Sequence, residues 1–191
     1  PAKKYETPGD MQDIPRPIIG YMGTINSTRL DGDLLYQIIS QRPDYNFVFT
    51  GPEDDGFRQH RIHSLKNAYF TGQKKVDELP AYIAAYDVCI NPQMVNDITD
   101  GNYPLKIDEY LAMGKPTVAT STHTMRNIFA DHTHLATNLG EWLSAIDRAV
   151  TEADDKKLAK QRIAFAETHS WGHSVKKIYD IIDNFLKEKA T

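Results

Sequence analysis

The chain alternates short, continuously apolar runs with segments of helical periodicity, and few architectures accept that rhythm. The runs fall at 18–25, 45–50, 68–71, 88–91, 117–120 and 135–137, and helix-like segments lie between them near 31–41, 76–86, 104–113, 124–130 and 140–152. Most of the runs lack the polar alternation of a half-exposed strand, as expected where both faces of a sheet are covered. The pattern predicts an α/β fold: a Rossmann-like, doubly wound parallel sheet of about six strands joined by right-handed crossovers. Two further C-terminal helices are expected near 154–169 and 173–189. In the second, Val175, Ile178, Ile182, Phe185 and Leu186 recur on one face. Trp142 and Trp171 are expected to pack helices onto the sheet.

The 191 residues suffice for one such domain rather than two. Basic residues are scattered and the net charge is −4, which argues against a nucleic-acid partner. No apolar run approaches the roughly 20 residues of a membrane-spanning helix. The single cysteine, Cys89, lies in an apolar run, so an internal disulfide is excluded and a reducing, cytoplasmic setting is expected. The chain opens at Pro1 without Met or a signal-peptide pattern, and its first residues are polar and proline-rich. A linker over 1–16, preceded by a further domain, is the expectation.

Open parallel sheets bind ligands at the carboxyl ends of their strands, which directs attention to the loops at 23–29, 51–56, 72–75, 92–106 and 121–125. The most informative stretch runs from Asn102 to Pro116. It reads as a short helix with both ends marked: Pro104 suits the first turn, Gly114 the left-handed position after the last, and Pro116 follows where a helix cannot continue. Lys106 and Glu109, three residues apart, project from nearly one face close to the helix start. Free amides and the helix dipole favour an anion there. The lysine is placed to neutralise a diphosphate, and the carboxylate to accept hydrogen bonds from two ribose hydroxyls. The same spacing is also that of an exposed ion pair worth a few tenths of a kcal/mol, and spacing alone does not separate the two.

The stretch Pro104-Leu105-Lys106-Ile107-Asp108-Glu109-Tyr110-Leu111-Ala112-Met113-Gly114-Lys115-Pro116 resembles the donor-site segment of glycosyltransferase family 4, the glycosyl transferases group 1. It is most similar to the teichuronic-acid and capsule-type branch. Ile18-Ile19-Gly20-Tyr21-Met22-Gly23, Phe47-Val48-Phe49-Thr50-Gly51-Pro52 and Asp87-Val88-Cys89-Ile90-Asn91-Pro92 fit other elements of that branch. The resemblance spans about 17–186 and implies the C-terminal half of a GT-B fold. The implied domain at 17–171 would bind a nucleoside-diphosphate sugar of the UDP or GDP type, without cofactor or metal, and 172–191 would form the C-terminal helix. An absent N-terminal domain would hold the acceptor. A retaining sugar transfer to a saccharide or lipid-linked acceptor is implied, in the cytoplasm or peripheral to the inner face of the membrane. A sugar-nucleotide epimerase half and a non-catalytic binding module are the alternatives.

The resemblance assigns the diphosphate contact to Lys106 and the ribose contact to Glu109. The first Glu of the family's Glu-x7-Glu pair is Gly101 here, so the sugar contact passes to Asp100, Gly101, Asn102 and their neighbours Tyr103 and Leu105. After the first strand the family's basic residues are reduced to Arg29, beyond Gly23. Gly72 and Gln73 correspond to the segment that borders the base. Lys74 and Lys75 fit a solvated helix start better than a phosphate contact. The acidic turn around Glu53, Asp54 and Asp55 reads as solvated surface charge rather than a metal site, and the histidines His123, His132 and His134 lack a regular metal-ligand spacing.

Overall fold

The computed structural model describes residues 4–97 and 99–189. Six strands form one sheet: β1 (Ile18–Met22), β2 (Asn46–Thr50), β3 (Ala68–Gly72), β4 (Val88–Asn91), β5 (Thr117–Thr120) and β6 (His134–Ala136). Every pairing is parallel and the order is β3-β2-β1-β4-β5-β6. The chain builds outward from β1 to β3, returns to set β4 beside β1, and builds outward again. The reversal between β1 and β4 opens the crevice at which this class of sheet takes its ligands.

The helices are α1 (Gly32–Ser40), α2 (Asp55–Arg58), α3 (Leu79–Ala85), α4 (Leu105–Ala112), α5 (Leu139–Thr151), α6 (Lys156–Glu167) and α7 (Trp171–Lys189). Strand alternation divides the core in two. Ile19, Phe47, Phe49, Val88 and Val118 turn toward α1 and α5, where Trp142 is completely buried. Ile18, Met22, Val48, Cys89 and Ala119 turn the other way, toward Tyr82 of α3, Ile107, Tyr110 and Leu111 of α4, and Ala166 of α6. Both faces being covered explains why these strands read as unbroken apolar runs.

Local chemistry fixes the helix ends. Asp31, Asn138 and Asp155 cap α1, α5 and α6 by accepting hydrogen bonds from first-turn amides. Gly114, at φ 72°, ends α4 in the left-handed conformation that costs other residues a steric penalty. Lys115 then donates to the carbonyls of Ala84 and Tyr86 at 2.8 and 2.6 Å, tying the end of α4 to the end of α3.

Several expectations are corrected. Residues 51–67 hold α2 and a 3-10 turn at Arg61–Ser64, both too short to show periodicity. The segment expected as a helix over 124–130 is a π-helix at Met125–Phe129. Pro104 precedes the first helical residue of α4 rather than lying within its first turn. Part of the segment read as a linker is packed on the domain: Met11 is 1% exposed, Ile14 packs against the same core cluster, and Asp10 meets Lys74 at 2.7 Å and Tyr82 at 2.8 Å. Trp171 does not pack on the sheet and is 87% exposed, and the apolar stripe of α7 lies open with it.

Candidate functional site

The loop after β1 and the start of α4 face each other across the β1–β4 reversal and enclose a cleft of about 510 Å³. Gly23 (φ 132°) and Gly51 (φ 149°) let the ends of β1 and β2 press together: a Cβ on Gly51 would stand 2.0 Å from the Gly23 carbonyl oxygen. Tyr110 binds α4 to the same place, since its buried hydroxyl accepts from the Met22 amide at 2.8 Å. The start of α4 is thereby held over the end of β1. Unlike α1, α5 and α6, this helix has no side-chain cap; of its first-turn amides, that of Ile107 donates to the Pro104 carbonyl at 2.8 Å.

Lys106 turns inward from α4. Its Nζ donates to the Tyr21 hydroxyl at 2.6 Å and lies 4.0 Å from the centre of the Tyr21 ring. A Cβ on Gly23 would come within 2.8 Å of that nitrogen, so the glycine leaves room for it. Burial lowers the Lys106 pKa from 10.5 to about 7; Glu109 pulls it up and Arg29 pushes it further down. Glu109 is exposed, and partial desolvation raises its pKa while Lys106 opposes that rise. Among the described residues neither Lys106 nor Arg29 enters an ion pair. The bland reading of Lys106 and Glu109 as a surface pair is therefore not what the side chains do. Arg29, the amine of Lys106 and a helix start without a side-chain cap line one opening, an arrangement suited to an anion.

Of the residues singled out from sequence, Gly23, Arg29, Asn102, Tyr103, Leu105 and Lys106 line the cleft. Glu109 lies one turn further along α4, outside the lining. Gly72 and Gln73 stand two strands away, at the carboxyl end of edge strand β3, and are exposed. Asp100 is engaged across the neighbouring loop, where Oδ1 accepts from the His123 amide at 2.7 Å. Gly101 is exposed, with nothing within 4 Å of where its Cβ would sit. Lys74 is held by Asp10.

The acidic turn has structural work. Asp54 caps α2 and accepts from the Ser27 amide and hydroxyl, each at 2.8 Å, while Glu53 meets His63 at 2.8 Å. His134 pairs with Glu152 at 2.9 Å and His132 stacks on Phe165. Among the described residues no cluster of three or more His, Cys, Asp or Glu is placed to hold a metal.

Tyr21, Thr24, Asn26 and Gln93 also line the cleft and were not singled out from the sequence. The available signal for Tyr21 was a hydroxyl in an otherwise apolar strand, two residues before a glycine that opens a ligand-binding loop.

Fold and site together define a Rossmann-like domain with a cationic cleft at its topological switch point. The sequence profile described as Glycosyl transferases group 1 matches residues 16–155, and the chain belongs to that family. A relative in Bacillus subtilis (strain 168), TuaH, provisionally named as a teichuronic acid biosynthesis glycosyltransferase, is 27% identical over 161 residues, covering 81% of this chain and 40% of its own length. Among solved structures, sucrose-phosphate synthase from Thermosynechococcus elongatus superposes with a TM-score of 0.72 at 18% identity, over 96% of this chain and 50% of that one. Anabaena Alr3699/HepE, solved in complex with UDP and glucose, superposes with a TM-score of 0.65 at 16% identity, over 96% and 53%. The fold is thus that of one half of GT-B glycosyltransferases, and the chain spans about half the length of the relatives it matches or less. Among the described residues no helix is long and apolar enough to cross a membrane.

Proposed function

We propose that this domain binds the nucleoside-diphosphate sugar of a retaining glycosyltransferase, with UDP or GDP as the leaving group and no metal or cofactor. The observation that carries the reading is Lys106: a half-buried amine at an uncapped helix start, without a carboxylate partner among the described residues, facing a cleft it shares with Arg29. When the bond between the anomeric carbon and the diphosphate oxygen breaks, the electron pair leaves with the diphosphate. Negative charge then builds where the Lys106 ammonium and the α4 amides converge, and fixed dipoles already aimed at developing charge favour the departure. Glu109, one turn along and outside the lining of the cleft, would accept from ribose hydroxyls. The complex of the structural neighbour HepE with UDP and glucose supports the same ligand class. The acceptor, a saccharide or a lipid-linked sugar, would be held by a second domain of the kind that the relatives' length allows.

Isothermal calorimetry tests the reading. UDP or GDP is expected to bind this domain with micromolar-to-millimolar affinity, and Lys106→Ala to weaken that binding by about 1–3 kcal/mol, the range for a hydrogen bond to a charged group. Equal affinity in the two proteins removes Lys106 from the site.

A further inference from the structure

Lys106 is held by something other than a carboxylate. Tyr21 is 2% exposed and packs against Phe49 in the core between the sheet and helices α1 and α5. A phenylalanine or leucine would serve that core equally well, yet the hydroxyl of Tyr21 emerges into the cleft. It donates to the Thr24 carbonyl at 3.0 Å and accepts from Lys106 Nζ at 2.6 Å, while the ring face lies 4.0 Å from the same nitrogen. The tyrosine therefore joins the loop after β1 to the lysine of α4, on the two sides of the cleft. Burial pushes its phenol far above the ordinary range, so the hydroxyl stays protonated with an acceptor lone pair to offer.

We propose that Tyr21 is a positioning residue for the donor diphosphate: its hydroxyl and ring face hold the Lys106 ammonium at the cleft in place of a carboxylate. The choice of a neutral holder has a physical consequence. A carboxylate in contact with Lys106 would cancel the charge that an incoming diphosphate needs. A phenol and a π-face steady an ammonium while leaving its net charge unspent. The charged groups acting on Nζ are Glu109 on α4, which is exposed and outside the cleft lining, and Arg29 from the loop after β1, which repels it. Lys106, already depressed to about 7 by burial, then takes up a proton as the diphosphate arrives at pH above that value. This inference rests on the donor-binding reading.

Tyr21→Phe keeps the ring and the buried volume and removes only the hydroxyl. It is expected to lower the melting temperature by only a few degrees, because the bond to the Thr24 carbonyl goes with the hydroxyl, to lower UDP affinity by about 5- to 10-fold, and to leave uridine affinity unchanged. NMR titration of the Lys106 side chain in the free domain supplies a readout independent of nucleotide. Its inflection is expected to fall below that of the parent when the hydroxyl acceptor is lost, and further in Tyr21→Leu, which also removes the π-face. In a Lys106→Ala background Tyr21→Phe is expected to cost nothing more, because the two residues act as one unit. Unchanged UDP affinity in Tyr21→Phe, an unmoved Lys106 inflection, or the same fold-loss with and without Lys106 overturns the positioning role. If Lys106→Ala itself leaves UDP and GDP binding unchanged, the donor-binding reading fails instead, and the titration alone then decides whether Tyr21 governs the lysine.

Discussion

Replacing Lys106 by Met should make the unliganded domain more stable while removing its affinity for nucleotide diphosphates. The free domain holds an amine whose pKa has fallen from 10.5 to about 7, chiefly through burial. Each tenfold change in acidity corresponds to about 1.36 kcal/mol, so a displacement of roughly three and a half decades sets a ceiling near 5 kcal/mol. Lys106 is only half-buried, and water and side-chain relaxation reduce the effect; about 1–3 kcal/mol is the expected gain at pH 6.5. The sign follows from proton counting. Between about pH 7 and 10.5 the unfolded chain keeps the Lys106 proton that the native state sheds, so native stability rises with pH across that window. Below pH 7 the whole cost is present, and above 10.5 it is gone. A methionine, similar in volume and without charge, removes the slope. Urea unfolding of both proteins at pH 6.5, 8 and 9.5 should show Lys106→Met more stable at pH 6.5 by that amount, with the gap closing toward pH 9.5. A variant that is less stable at pH 6.5, or a gap that does not change with pH, refutes the claim that the site holds an unfavourably buried charge.

Two other substitutions test the frame around the site. Trp142 is completely buried between α5 and the sheet, so Trp142→Ala should cost about 3–5 kcal/mol in urea unfolding, and a loss below about 1 kcal/mol would show that the core on this face is not packed as described. Gly101→Glu meets no neighbouring atom and no left-handed backbone, so its melting temperature should stay within about 2 °C of the parent, and UDP-glucose should gain affinity relative to UDP if this loop borders the sugar; an unchanged ratio places the sugar elsewhere.

Much of the fold was legible because the four central strands, β2, β1, β4 and β5, are buried along their whole length and each site helix carries its own punctuation. The unbroken apolar character of 47–49 and 88–90 reports covered strands. Pro104 and Gly114 bracket α4 to within a residue, since the first lacks an amide that no helix start requires and the second takes a backbone that other residues avoid. What stayed hidden depended on distance in the chain. The stripe on α7 announced an apolar face, but amphipathicity states only that a face seeks cover; within this chain that face and Trp171 stay exposed. The acidic turn after β2 looked like surface charge because its employment, Asp54 receiving Ser27 from the loop after β1, joins residues 27 apart.

The same limit governs the site. A lysine three residues before a glutamate on a short helix is ambiguous in sequence, because the helix fixes where both side chains begin and not where the longer one ends. The decision belongs to Tyr21, 85 residues away, whose hydroxyl accepts from Nζ at 2.6 Å. Once the amine is directed inward, burial depresses its pKa, Arg29 reinforces that effect against the opposing pull of Glu109, and the glutamate itself is left exposed. An inward lysine without a counter-charge is unfavourable in the empty domain and favourable only when an anion enters. This is why its predicted stability cost and its predicted affinity for a diphosphate must appear, and vanish, together.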